Sequence, residues 1–338
     1  MIRSFFLVFF LLNLSPIFSQ NDVVSIVEEG IVYHDRGEFD KAIATYETAL
    51  EIDPKSAMVL YEIGLSYYHK GDFKTDIKYY DKVLDLNNEH LLPATINKGL
   101  SLDNMGKSKA AYKLFKKAVN EFKNEPTLHY NLAYQLYKKG EPETAIEELT
   151  TAIKLDPVYP TSHLLMGFLQ FETNNRVQAL LSYHYFLFLN PGSERARDVF
   201  VDINSIMGGN VTIEDGNTKS INISLSADLN SEFSASELLL ALLASGISDE
   251  ENKDLSREEL FIKNSTRFFK HLGEMKERHG NSESIYWNFY IPFFDKLAKS
   301  DHMEAYFYHI TENINESSAK WIEEHTLEMF AFEKWIGQ

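Results

Sequence analysis

Asp295, His302 and His309 stand at seven-residue intervals, with Glu304 and Glu312 close by. On one unbroken helix that spacing puts all three on a single face, from which nitrogen and oxygen donors can hold a divalent cation. Asp301, however, is a natural N-cap for a new helix and breaks the alignment with Asp295. The pairs His271/Glu274 and His325/Glu328 are i, i+3 neighbours of the kind ordinary helices carry. With 50 Asp and Glu against 33 Lys and Arg, close carboxylates follow from composition and nominate no general acid. Gly208-Gly209 is an isolated pair and not a phosphate-cradling loop. Neither a Gly-x-Ser-x-Gly elbow nor a His-Glu-x-x-His helix occurs. The absence of cysteine removes disulfides, lipoprotein anchoring, thiolate ligands and cysteine nucleophiles together. These readings predict no metal site, no cofactor and no enzyme.

The elements that would have to position any chemistry are periodic. Gly30, Gly64, Gly99, Ala133 and Gly167 recur at spacings of 34, 35, 34 and 34 residues. A second small site with a large partner follows each: Ala42/Tyr46, Asp76/Tyr80, Ala111/Phe115, Ala145/Leu149 and Ala179/Tyr183. Between the two lies a turn residue, Gly37, Gly71, Gly106, Gly140 or Asn174, and Pro54, Pro157 and Pro191 close three of the units. Small residues at fixed phase let two antiparallel helices approach closely. The turn glycine suits a left-handed helix C-cap, and the proline stops the second helix. The aromatic is expected to fill the gap between successive units, and Asp76 predicts a looser crossing in the second. A period near 34 resembles that of the tetratricopeptide repeat (TPR), an α-solenoid of helix-turn-helix units.

That resemblance implies a mainly α fold of five units, at about 23–56, 57–91, 92–125, 126–159 and 160–192, within residues 22–192. It also implies a concave groove lined by the first helix of each unit. Carried over by position, the groove residues are Val27 and Ile31, then Tyr61, Leu65 and Tyr68, then Ile96 and Leu100. The last two units add Tyr130, Tyr134, Tyr137 and Lys138, then Leu164, Phe168 and Phe171. Family members that clamp a terminal carboxylate need several convergent donors there. Here the donors are Lys138, Asn104, His34 and His69, too few for that mode. The surface is instead aromatic, suited to an apolar or helical segment of a protein or peptide partner. The competing expectation is that the chain's own C-terminal helices fill the groove, favoured for the fourth and fifth units; partner binding is favoured for the first two.

Residues 1–19 read as a signal peptide, with Arg3, an apolar run from Phe5 to Leu12 and a small-residue cleavage site before Gln20. Export without disulfides fits a Gram-negative periplasm best, and a secreted or lumenal protein second. After cleavage no stable membrane insertion is expected. The net charge of −17, without a basic stripe, argues against nucleic acid. Residues 193–338 read as a mostly helical domain with a β-hairpin near 210–226, capping boxes at Ser234/Glu237 and Ser256/Glu259, and an aromatic helix split by Pro292. The functional expectation is a non-catalytic scaffold or adaptor in the cell envelope. An enzyme with its site in the C-terminal domain and a self-associating structural protein, a homo-oligomer, stay open as alternatives.

Overall fold

The structure, a computed structural model, describes residues 20–86, 89–208, 210–214, 218–222, 232–245, 252–277 and 282–337. The expected signal peptide, the hairpin turn 215–217 and residues 249–251 of the acidic stretch lie outside them. The chain divides into two compact units, residues 1–123 and 124–338. The division falls at Asn124-Glu125-Pro126, inside the periodic array.

Three helical hairpins make the first unit: α1 (Gln20–Asp35) with α2 (Phe39–Ile52), α3 (Ala57–His69) with α4 (Phe73–Asp85), and α5 (Leu91–Asn104) with α6 (Ser108–Glu121). Two more open the second unit: α7 (Pro126–Lys139) with α8 (Pro142–Leu155), and α9 (Pro160–Glu172) with α10 (Arg176–Leu189). All five first helices end the same way. Gly37, Gly71, Gly106, Gly140 and Asn174 take φ of +74°, +78°, +72°, +83° and +60°. In the first, Gly37 N–H donates to the His34 carbonyl at 2.8 Å and Glu38 N–H to the Tyr33 carbonyl at 2.9 Å. That double closure satisfies carbonyls the helix leaves free, and the left-handed residue it requires explains the glycine column.

The small-residue column meets the aromatic of its own hairpin. A Cβ added at Gly30, Gly99 or Gly167 would lie 2.2, 2.2 or 2.4 Å from the ring of Tyr46, Phe115 or Tyr183. Each aromatic therefore seals the crossing within its own hairpin, and in the first unit it also meets the next hairpin: Tyr46 clusters with Val59 and Ile63 of α3, and Tyr80 with Ala94 of α5. The glycine removes the only atom that would stop the ring from lying on the helix backbone.

Asp76 is fully buried where the other units have alanine. The crossing beside it is still close, with the added Gly64 Cβ at 2.7 Å from Tyr80. Ser101 Oγ donates to Asp76 Oδ2 at 2.6 Å, whereas Oδ1 is buried without a partner. Burial raises the carboxyl pKa to about 6. At neutral pH the unit thus holds a desolvated anion with half its acceptor capacity unmet. Asp76→Ala is expected to stabilise the protein at pH 7 by ~1–3 kcal/mol, since two pKa units correspond to ~3 kcal/mol. The gain should shrink as pH falls towards 5 and the folded carboxyl takes up a proton. Urea unfolding of the variant at both pH values checks this; a loss of stability at pH 7 would contradict it.

The second unit continues with α11 (Ala196–Gly208), strands β1 (Asn210–Glu214) and β2 (Thr218–Asn222), and α12 (Ser234–Ser245). The strands pair antiparallel, Thr212 opposite Ser220. In α13 (Arg257–Lys276) the capping box is complete: Glu259 N–H donates to Ser256 Oγ at 3.1 Å and Ser256 N–H to Glu259 Oε2 at 2.8 Å. A π-helical turn, Tyr286–Tyr290, then runs into α14 (Ile291–Ala298). Pro292 sits in the first turn of α14, so the irregularity expected from it falls just before it, where the missing N–H costs least. Three short helices follow, α15 (Met303–Thr311), α16 (Glu316–Glu324) and α17 (Thr326–Ile336). No helix among the described residues is long and apolar enough to cross a membrane.

At the centre of this unit is α10. Every residue from Ala179 to Phe188 is buried, so the helix is enclosed on all sides. The Tyr185 ring meets Phe289 at 4.9 Å and Phe293 at 5.1 Å. His184 Nδ1 lies 2.8 Å from the Tyr306 hydroxyl. From α9, His163 Nδ1 lies 2.7 Å from the Tyr290 hydroxyl, and Gln170 Nε2 donates to the Tyr286 hydroxyl at 3.1 Å.

Candidate functional site

The second unit contains a cleft of about 280 Å³ between α7, α9 and α11. Tyr130, Tyr134 and Tyr137 stand at i, i+4 and i+7 on α7 and form one wall. Thr161, Leu164, Leu165 and Phe168 of α9 continue it, and Tyr183 of α10 lies at the base. The far side is α11 with the residue before it: Arg195, Asp198, Val199 and Asp202. The alternation on α11 is what places it there. Ala196, Val199, Ile203 and Ile206 are buried, which turns Asp198 and Asp202, one turn apart, towards the cleft.

Ring geometry makes the wall firm. Tyr137 meets Phe168 edge to face at 5.4 Å and Tyr134 at 6.5 Å, while Tyr130 packs edge to face on Tyr159 at 5.9 Å. Burial, helped by the neighbouring Tyr159 and Tyr134, pushes the Tyr130 hydroxyl up to about 12. Burial likewise raises the Asp202 carboxyl, a shift partly offset by the nearby Tyr183 hydroxyl. The Tyr183 hydroxyl is itself raised, by burial first and by the Asp202 charge second. At the rim, Lys138 Nζ lies 5.6 Å from the centre of the Tyr134 ring.

Of the residues expected in the groove, Tyr130, Tyr134, Tyr137, Leu164 and Phe168 come together here. Phe171 packs instead on Tyr183 at 6.4 Å. In the first unit the expected residues are more dispersed. Val27 is only 4% exposed and belongs to a core cluster with Ala42, Tyr46, Ile63 and others, so it is no groove residue. It falls on the side of α1 that meets α2 and α3. Ile31 is exposed, and Leu65, Ile96 and Leu100 are half-buried. Tyr61 and Tyr68 serve as rungs between hairpins: Asn97 Nδ2 donates to the Tyr61 hydroxyl at 3.0 Å and Asn104 Nδ2 to the Tyr68 hydroxyl at 3.3 Å. Tyr61 also stacks on His90 at 5.5 Å.

Of the C-terminal region, it is α11 that reaches this part of the groove. The aromatic C-terminal helices pack on α10 and on His163 and Gln170 of α9, residues offset from the cleft-lining Leu164 and Phe168. In this unit α11 stands across the cleft and leaves it open. Neither Asp198 nor Asp202 is among the residues expected from the sequence. The available signal was their i, i+4 spacing opposite Val199, Ile203 and Ile206.

The spaced Asp295, His302 and His309 do not converge. Asp295 on α14 accepts from Lys299 at 2.7 Å. The His302 ring packs near Phe332 and Trp335, and His309 Nε2–H donates to the Phe188 carbonyl at 2.9 Å. Among the described residues no three His, Asp or Glu side chains are grouped to hold a metal ion. A second cavity, about 240 Å³, has Met207, Leu260 and Phe261 in its wall, with Asn204, Asn264 and Arg257.

No curated protein matches the sequence significantly. Among solved structures, MamA (residue 41 to the end) from Desulfovibrio magneticus RS-1 is similar at 20% identity, over 51% of this chain and 97% of its own, with a TM-score of 0.44. PilF of Pseudomonas aeruginosa matches at 20% over 54% and 88%, TM-score 0.45. YrrB, described as a TPR protein with an unusual peptide-binding site, matches at 21% over 52% and 89%, TM-score 0.40. The family model for the TPR repeat matches residues 30–71 and 133–174, and that for the tetratricopeptide repeat matches 58–90. With five hairpins closed by the same left-handed turn and matched by these models over 30–90 and 133–174, the chain carries an array of tetratricopeptide repeats.

Proposed function

We propose that this protein is a non-catalytic interaction scaffold of the cell envelope that seats a segment of a protein partner in the cleft between α7, α9 and α11. The observation that carries the reading is the character of that cleft. Its wall is built from tyrosine and phenylalanine, which give large contact area at small entropy cost with a polar tip left for hydrogen bonding. An enzyme would set convergent titratable groups against a reacting atom, whereas the titratable groups here line one side and face rings. The Arg3-led apolar segment at residues 1–19 and the cysteine-free composition support export to the envelope.

The test pairs wild type with a Tyr134→Ala/Phe168→Ala variant that circular dichroism shows to be folded. Tyr134 is 38% exposed, so its truncation spares the core. Wild type should retain an envelope protein from native extract that the variant loses. Equal retention by both would remove the cleft from the interaction. In the same preparation, the periplasmic form should have the intact mass of a chain starting at Gln20; recovery only in the cytosol would reject the location.

A further inference from the structure

We propose that the cleft receives a basic side chain, a lysine or arginine carried by the partner segment, with its charge held between the aromatic wall and Asp198 and Asp202. The inference rests on the interaction reading above and supplies the partner's chemistry. Three observations carry it.

The first is the wall. Tyr134, Tyr137 and Phe168 turn ring faces and edges to one space, and a ring face attracts a cation through its quadrupole. Lys138 already occupies such a position on Tyr134 from the rim. The second is the opposite side. Asp198 and Asp202 border the same space as the rings, and Asp202 is half-buried near Tyr183 at its base. Arg195 also borders the cleft but is exposed, and among the described residues no ion pair within 4.0 Å joins it to either carboxylate. Desolvation has raised the Asp202 carboxyl, the response of an acid that lacks an adequate counter-charge. The third is size. About 280 Å³ lies at or below the ~300–1,000 Å³ of sites for drug-sized ligands, which suits one long side chain better than a cofactor or a whole helix.

Alternatives fit less well. A leucine or phenylalanine anchor would finish desolvating Asp202 with nothing to pair it. A glutamate would meet two carboxylates. A lysine or arginine lays its methylene stem along Leu164 and Phe168 while its head reaches the acids, and the chain's charge of −17 attracts such a segment from a distance.

The experiment uses four acetylated, amidated peptides of sequence Ala-Leu-X-Leu-Ala, with X as Lys, Arg, Leu or Glu, titrated into the full chain by calorimetry. The Lys and Arg peptides should bind at least about tenfold more tightly than the Leu peptide, with the Glu peptide weakest. In an Asp198→Asn/Asp202→Asn variant the preference for Lys over Leu should fall below about twofold, with Leu-peptide affinity unchanged. If that variant does not fold, Asp198→Asn alone, at an exposed position, should lose part of the preference. Equal binding of the Lys and Leu peptides, or a preference that survives both substitutions, overturns the inference and leaves the interaction reading standing. If none of the four binds, the inference is overturned, and retention of an envelope protein then decides the interaction reading separately.

Discussion

Moving from about pH 7.5 to about pH 5, the second unit should lose ~4 kcal/mol of stability through two buried histidines, ~2 kcal/mol from each. His163 and His184 are fully buried. Desolvation holds the first down to about 4 and the second down to about 3. His163 is satisfied as a neutral ring: Nε2–H donates to the Pro157 carbonyl at 3.0 Å, and Nδ1 accepts from Tyr290. His184 faces Phe269 and Phe294. Its Nδ1–H donates to Tyr306, whose hydroxyl reaches the His184 carbonyl at 3.4 Å, and Nε2 is left without a partner. A second proton would therefore place a charge among phenyl rings.

The sign follows from the unfolded chain, where histidine titrates near ~6.5. Below that pH the unfolded state binds a proton that the folded state refuses until pH ~4 or ~3, so stability falls as pH falls. Carboxyls raised by burial oppose the trend, Glu62 of the first unit among them. Asp76 in the first unit and Asp202 in the second are raised in the fold, and both favour folding as pH drops. The Asp76 term acts on the other unit, so acid should weaken the second unit while easing strain in the first. Urea unfolding followed by tryptophan fluorescence, which reports the second unit because Trp287, Trp321 and Trp335 all lie in it, gives the test. A His163→Gln/His184→Gln variant should be less stable at pH 7.5 but have a flatter pH dependence. Identical wild-type midpoints at the two pH values would contradict the assignment.

Gly99→Ala should destabilise the first unit by ~2 kcal/mol. Alanine is the better helix former by ~1 kcal/mol, so a stability gain is expected at an open site. Here the new Cβ would lie 2.2 Å from Cζ of Phe115 and 2.6 Å from Cε1. Phe115 is fully buried and has no room to withdraw, and overpacking of this kind costs ~1–3 kcal/mol or more. The strain outweighs the propensity. The fourth hairpin supplies the remedy within the same chain: Ala133 stands in the glycine column, and its partner is Leu149 in place of an aromatic, both fully buried. Gly99→Ala/Phe115→Leu copies that solution. In a double-mutant cycle the pair should be more stable than the sum of the two single changes by at least ~1 kcal/mol. Additive behaviour would mean that ring and glycine are not coupled.

The repeats are legible in the sequence because each column answers a local demand. A left-handed turn demands glycine or asparagine, and a backbone crossing demands a residue without a large side chain. Both demands recur near every thirty-fourth residue, so Gly37 and Gly30 are read from their counterparts. The partner of the crossing is harder to read, because Tyr46 suits either a neighbouring unit or its own hairpin by spacing alone. The site is less legible still. Tyr130, Tyr134 and Phe168 can be placed on a groove, but an i, i+4 acid pair such as Asp198 and Asp202 resembles any solvated helix face until the opposite wall is known. His163 and His184 give no signal, since the hydroxyls they meet lie 127 and 122 residues away. Apolar context distinguishes a buried histidine, and that context comes from distant helices.

The burial of α10 on every side bears on how such a protein evolves. In a repeat array the second helix of a hairpin normally keeps one face polar, as α8 does with Glu147, Lys154 and neighbouring exposed residues. Units of that kind are interchangeable, and arrays lengthen or shorten by duplicating or deleting them. The helix from Arg176 to Leu189 has lost that freedom. It has become the hub on which Phe289, Phe293 and Tyr306 pack, and among the described residues no other hairpin has a helix buried so completely. Lineages carrying this architecture should vary in repeat number upstream of the fifth hairpin, while that hairpin and the helices after it are inherited as one block.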